Sequence, residues 1–205
     1  GSTLTKRMLK AIKMLAQLEW MPISLAEKEN IIRANILPMA LYGCEAASIN
    51  EAVFEQMRAA IARVIGPKSA KASTDLVYEF NITSTDLDPA VHVLYLRIAS
   101  MRRIIAKHND IQFMISRIIV DYISHPATLC TSHGPIGMLI KQLNDMKYVI
   151  GGDFVIHKAN EPNIDLLEMP WQHLKKSISE ISARHRLHKV NKTRTFHSFI
   201  PETDK

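Results

Sequence analysis

The sequence predicts a mainly α fold: an N-terminal three-helix bundle, then a second helical region with at most one short β-hairpin near residues 154–167. Three observations carry that prediction. Apolar residues recur at helical spacing along most of the 205 residues. Capping residues stand directly before several of those runs. Only seven glycines interrupt a chain that is 47% hydrophobic, which excludes disordered and low-complexity classes and leaves enough apolar material for a real core.

In the first segment Leu4, Met8, Ile12 and Leu15 share one helical face, while Lys6, Lys10 and Lys13 line up on another. Gly1-Ser2 reads as a cloning scar and stays outside the pattern. Trp20-Met21-Pro22 ends this helix. Ser24-Leu25-Ala26-Glu27 spells a capping box for the next, which runs through Ile31, Ile32 and Ile36 until Pro38 kinks or restarts it. Asn50 is a good N-cap for a helix stacking Phe54, Met57, Ile61 and Val64, stopped by Gly66-Pro67. Residues 3–66 thus read as one helical bundle.

A lysine-bearing connector, residues 67–73, leads to a helical turn around Leu76–Phe80. Asp88-Pro89 then opens a long helix, cap first and proline second. Its expected buried stripe is Leu94, Ile98, Met101 and Ile105, with Arg97, Arg102, Arg103 and Lys107 on the polar side. Asn109-Asp110 breaks it, and a helix over 111–123 follows with Met114, Ile115, Ile118, Ile119 and Tyr122 as its apolar face. A loop over 125–135 and a helix over 136–148 complete a helical connector, residues 67–150. Gly151-Gly152 is the sharpest break. Residues 151–190 are expected to hold two four-residue strands, 154–157 and 164–167, and a last helix over about 171–188 stacking Leu174, Ile178 and Ile181. Residues 191–205 read as a polar, frayed tail.

The formal net charge is +6, unevenly placed. Residues 1–20 carry +3, residues 171–205 carry +5, and the 150 residues between them sum to −2. Such basic blocks suit phosphate contacts as well as solubilising ends. The longest apolar stretch, residues 36–43, is interrupted by Pro38 and far short of the ~20 residues a membrane span needs. Two cysteines, Cys44 and Cys130, make no disulfide framework, so an intracellular, reducing setting, cytoplasm or nucleus, is expected.

Catalytic patterns are sparse. His125, Cys130 and His133 are ligand types zinc accepts, but no fourth ligand stands nearby, and no metal site is expected. Cys44 ends an apolar stretch beside Glu45, which disfavours the thiolate, and a buried, inert thiol is expected. No Gly-x-Ser-x-Gly elbow, paired-acid motif, Walker loop or dinucleotide fingerprint occurs. His185 and His188, with Arg184 and Arg186, form a basic cluster near the end of the last helix; it suits either that helix's dipole or a phosphate. Lys6, Lys10 and Lys13, and Arg103 with Lys107, are spaced to follow a phosphate backbone. Aromatic residues make up only 6% of the chain, which disfavours a base-stacking platform and leaves shape and phosphate reading of a duplex.

Residues 10–18, the run Lys28-Glu29-Asn30-Ile31-Ile32-Arg33-Ala34-Asn35-Ile36-Leu37-Pro38 and the stretch Ala40-Leu41-Tyr42-Gly43-Cys44-Glu45 resemble the thumb of non-LTR retrotransposon reverse transcriptases. There a basic helix leads to an ILP-x-ALYG-x-E stretch and a helix ending in glycine, supplied here by residues 54–66. Ser73-Thr74-Asp75-Leu76, Thr85-Asp86-Leu87-Asp88-Pro89, Gly134-Pro135-Ile136-Gly137 and Asn160-Glu161-Pro162-Asn163-Ile164-Asp165 are similar to post-thumb segments of dinoflagellate-type retroelement reading frames. The resemblance implies a thumb plus connector of an RNA-directed DNA polymerase. Fingers and palm would lie upstream of residue 1 and any ribonuclease H or endonuclease domain after residue 205. The palm's Asp-Asp motif does not occur in this chain, so no polymerase activity and no cofactor are expected of it alone.

The resulting expectation is a non-catalytic module that grips an RNA–DNA or DNA template–primer duplex. Lys6, Lys10 and Lys13 would be its first phosphate contacts, and Arg97, Arg103 and Lys107 a second group. The fingers and palm would be protein partners, and no membrane is involved. The competing expectation is a helical protein-interaction scaffold that binds no nucleic acid and exposes a large apolar patch.

Overall fold

The computed structural model describes residues 2–67, 73–80, 87–126 and 134–193, and its architecture is mainly α with one small antiparallel sheet. Helix α1 (Thr3–Trp20) begins at Ser2, whose hydroxyl accepts a hydrogen bond from the Thr5 amide at 3.2 Å. Ser2 therefore caps α1 and belongs to the helix pattern. Leu4, Met8, Ala11, Leu15 and Leu18 form the buried stripe, and Ile12 is half-buried at its edge. The Ser24 hydroxyl accepts from the Glu27 amide while the Glu27 carboxylate accepts from the Ser24 amide, so the capping box starts α2 (Leu25–Ile31) as predicted.

Pro38 acts through the turn before it. Residues Ile32–Ile36 widen into a π-helix, and the Leu37 amide reaches back five residues to the Ile32 carbonyl. A proline ring clashes with the carbonyl four residues earlier, and the wider turn makes room for it. Helix α3 (Leu37–Leu41) follows at once and ends before Gly43, whose φ of +82° suits glycine. Asn50 caps α4 (Glu51–Ile65) through the Val53 amide at 3.1 Å. Gly66 ends α4 where a Cβ would lie 2.6 Å from the Ala62 carbonyl oxygen and 2.8 Å from Val77, so α5 (Thr74–Phe80) can pack closely there.

Helix α6 (Pro89–Lys107) is the shared spine. Its Val93 belongs to a first core built from α1 to α5, whereas its Val91, Leu94, Ile98, Met101 and Ile105 belong to a second. The second core also takes side chains from α7 (Asn109–Ser124), α8 (Pro135–Asp145), the sheet and α9 (Trp171–Thr193). The break between α6 and α7 falls at His108, so Asn109 and Asp110 open the new helix instead of ending the old one.

The sheet holds one strand more than the expected hairpin. Strand β1 (Val149–Ile150) pairs antiparallel with β2 (Val155–His157), which pairs with β3 (Ile164–Asp165). Two residues are too short a run to show a period of two, and β1 was invisible for that reason. Gly151-Gly152 is then a turn inside the sheet, and the sequence segments 67–150 and 151–190 share one hydrophobic core. Helix α9 buries Leu174, Ile178 and Ile181 as predicted and runs on to Thr193. The polar tail from residue 194, most of the connector and the loop bearing Cys130 and His133 lie outside the described residues.

Candidate nucleic-acid interface

On a helix of 3.6 residues per turn, Lys6, Lys10 and Lys13 fall within about 60° of one another, with Gln17 among them. The buried stripe of α1 lies on the opposite side. All three lysines are exposed, and among the described residues none has an ion-pair or hydrogen-bond partner. Their backbone positions span an axial distance of about 10 Å. Arg7 of the same helix is committed elsewhere: it donates to the Tyr42 carbonyl at 2.8 Å and stacks over the Tyr42 ring at 5.1 Å. The free cations of α1 are therefore the three that the sequence spacing singled out.

The second group divides. Arg103 and Lys107 are exposed, four residues apart on α6, over the second core. Arg97 is buried, and this corrects its expected place on the polar side. Six residues separate it from Arg103, which turns the two about 120° apart and brings Arg97 to the edge of the Leu94–Ile98 stripe. Its Nη1 donates to Gln142 Oε1 at 2.7 Å. Arg102 is also structural: it donates to the carbonyls of Leu167 and Met169 and stacks on Trp171 at 4.4 Å.

The basic cluster on α9 separates in the same way. Arg184 pairs with Glu161 and, at 3.6 Å, with Glu180. Arg186 turns inward, is 2% exposed, and meets Asp88 at 2.7 Å and Glu79 at 2.6 Å. Asp88 is fully buried and also receives Arg58 at 3.0 Å, while Arg58 reaches Asp75 at 2.8 Å and Glu55 at 3.1 Å. Tyr78, fully buried beneath, donates to the Arg58 carbonyl at 2.9 Å. Burial alone would push the Asp88 carboxyl up, but Arg58 and Arg186 outweigh it and hold Asp88 below the usual carboxylate range. The sequence identified Asp88 only as the α6 cap. Its two arginines stand 30 and 98 residues away, a pairing that local spacing cannot announce.

Cys44 is fully buried, and burial, helped by Glu45, pushes its thiol up to about 12. The expected inert thiol is what the fold supplies. Iodoacetamide at pH 8, followed by peptide mapping, should leave Cys44 unmodified in the native protein and label it fully after denaturation. Labelling of Cys44 at equal rates in both states would contradict this burial.

Among the described residues no group of three or more His, Cys, Asp or Glu side chains could hold a metal ion, and no helix is long and apolar enough to cross a membrane. No family model, curated protein or solved structure matches the chain.

Proposed function

We propose that the chain is a nucleic-acid-binding helical module, the thumb and connector of a retroelement reverse transcriptase, which grips a template–primer duplex by its backbone. The observation that carries this reading is the unpaired row Lys6, Lys10 and Lys13 on the exposed face of α1. That helix lies in the segment whose sequence resembles a thumb. In this reading the module works inside the cell without a cofactor of its own, and fingers and palm of the same polyprotein supply the chemistry. Contacts to phosphates alone carry little sequence information and release counterions on binding. Binding of an RNA–DNA hybrid measured at two salt concentrations should therefore fall steeply with salt and vary little with sequence. A flat salt response would defeat the proposal.

One observation favours a protein-interaction scaffold as the second reading. Helix α7 is apolar around most of its circumference, yet only Ile115 and Ile119 are buried. Met114 and Ile118 are exposed on one flank of that stripe, and Phe113 and Val120 on the other, with Phe113 72% exposed. Helices apolar on so many sides are usually covered on more than one. If no duplex binds at any salt concentration, this second reading replaces the first.

A further inference from the structure

A cleft of about 300 Å³ opens where α4, α6, α8 and α9 meet, and it lies apart from the exposed row on α1. Its lining includes the buried pair Arg58 and Arg186, whose charges are answered by Asp88, Asp75, Glu55 and Glu79. Arg97 lines the same cleft and makes no direct ion pair. It is 9% exposed, its Nε has no hydrogen-bond partner, and its strongest contact is the neutral amide of Gln142. Its Nη2 faces only the Met138 sulfur, at 3.9 Å, which is a weak acceptor.

An arginine stays charged in any protein, and a buried charge is costly unless something of opposite sign compensates it. Among the described residues no carboxylate makes an ion pair with Arg97; Glu51, exposed on the cleft rim, acts on it only through a longer-range attraction. A second polar group on the cleft wall is also unfilled: Ser182 on α9 is 2% exposed and its hydroxyl has no hydrogen-bond partner. Guanidinium and hydroxyl are both donors, and they come from two different helices on one cavity. Lys141 contributes a further cation to the lining. The lining carboxylates Glu51, Glu55 and Asp145 are exposed, so water screens them in a way it cannot screen Arg97.

We propose that this cleft is a binding site for a small oxyanion, a phosphate or a carboxylate group, held by Arg97 with Ser182 beside it. The volume is at the lower end for ligand pockets and fits a fragment rather than a polymer, so the site is separate from duplex binding. Occupancy supplies the counter-charge that the fold withholds from Arg97, and ligand binding should stabilise the protein accordingly.

Thermal melts in inorganic phosphate, in acetate, and in sodium chloride of matched ionic strength test the site. At roughly ten times its dissociation constant, phosphate or acetate should raise Tm saturably by about 3–5 °C over chloride. The arm that responds at the lower concentration identifies the preferred group. Arg97→Gln should abolish the saturable shift while helical circular dichroism is retained, and Ser182→Ala should weaken affinity several-fold. Lys10→Glu should leave the shift intact, which separates this site from the α1 face and from failure of the duplex proposal. If Arg97→Gln does not fold, the Ser182→Ala and Lys10→Glu pair decides. No saturable shift with either anion, or a shift unchanged in Arg97→Gln or Ser182→Ala, would overturn the proposal.

Discussion

Asp88→Ala should destabilise the protein by about 3–5 kcal/mol, the cost of breaking a buried ion pair from one side. Asp88 has no exposed surface and lies between Arg58 and Arg186, so its removal strands two buried guanidinium groups. Glu55, Asp75 and Glu79 remain near them, but only Asp88 touches both arginines. The substitution also deletes the α6 cap on the Ala90 amide. A Tm lower by roughly 6–20 °C is expected for a chain of this size. Glu55, whose side chain is 56% exposed, contributes through a solvent-screened pair, and Glu55→Ala should cost under about 1 kcal/mol.

The same carboxylate sets an acid limit. Its pKa is lower in the folded protein than in the unfolded chain, where about 3.9 is usual. Its contribution is therefore present above that unfolded value and drains away as pH falls through the lower folded one. Denaturant melts between pH 5 and pH 2 should show the wild-type protein losing more stability than Asp88→Ala does. Equal losses, or an Asp88→Ala cost below 1 kcal/mol, would show that the arginines find other compensation.

The second large effect concerns binding. Replacing Lys6, Lys10 and Lys13 together by Glu reverses the exposed row on α1 and should weaken duplex affinity by about 100-fold or more near 50 mM salt. The loss should be uniform across duplex sequences, and the slope of log K against log salt should become shallower by about 3. These side chains are exposed on the face opposite the buried stripe, so the helical melt should be little changed. Arg97→Gln offers a sharp contrast, since a buried arginine releases no counterion and the salt slope should stay as in the wild type. Affinity unchanged in the triple variant would move the interface off α1.

Much of the helical architecture could be read from local chemistry because most helices announced their own burial. Helix α1 shows one apolar stripe with lysines opposite, and Ser24, Asn50 and Asp88 mark starts that the structure keeps. Helix α7 was legible as a helix but not in its packing. A segment apolar on several sides does not say which side the fold covers, and the expected contacts Met114 and Ile118 proved exposed. Arg97 could have been placed better by angle, because it lies well away from Arg103 on the helical wheel. Its lack of a counter-ion could not, since which charges meet is decided by the arrangement of α4, α6, α8 and α9. Arg58 carries the same lesson: a residue on the apolar side of α4 looks misplaced until residues 75, 88 and 186 are brought to it.

The pairing of Arg186 with Asp88 has a consequence for the order in which the molecule is made. A ribosome delivers the first bundle and the start of α6 long before α9, so for most of synthesis Asp88 and Arg58 lack the arginine that completes their network. Such long-range closures slow folding, because chain entropy is lost before the contact repays it. The first core takes no side chain from α9, but the Arg58–Asp88–Arg186 network closes only when nearly the whole described chain has emerged, and α9 is the clasp that completes it.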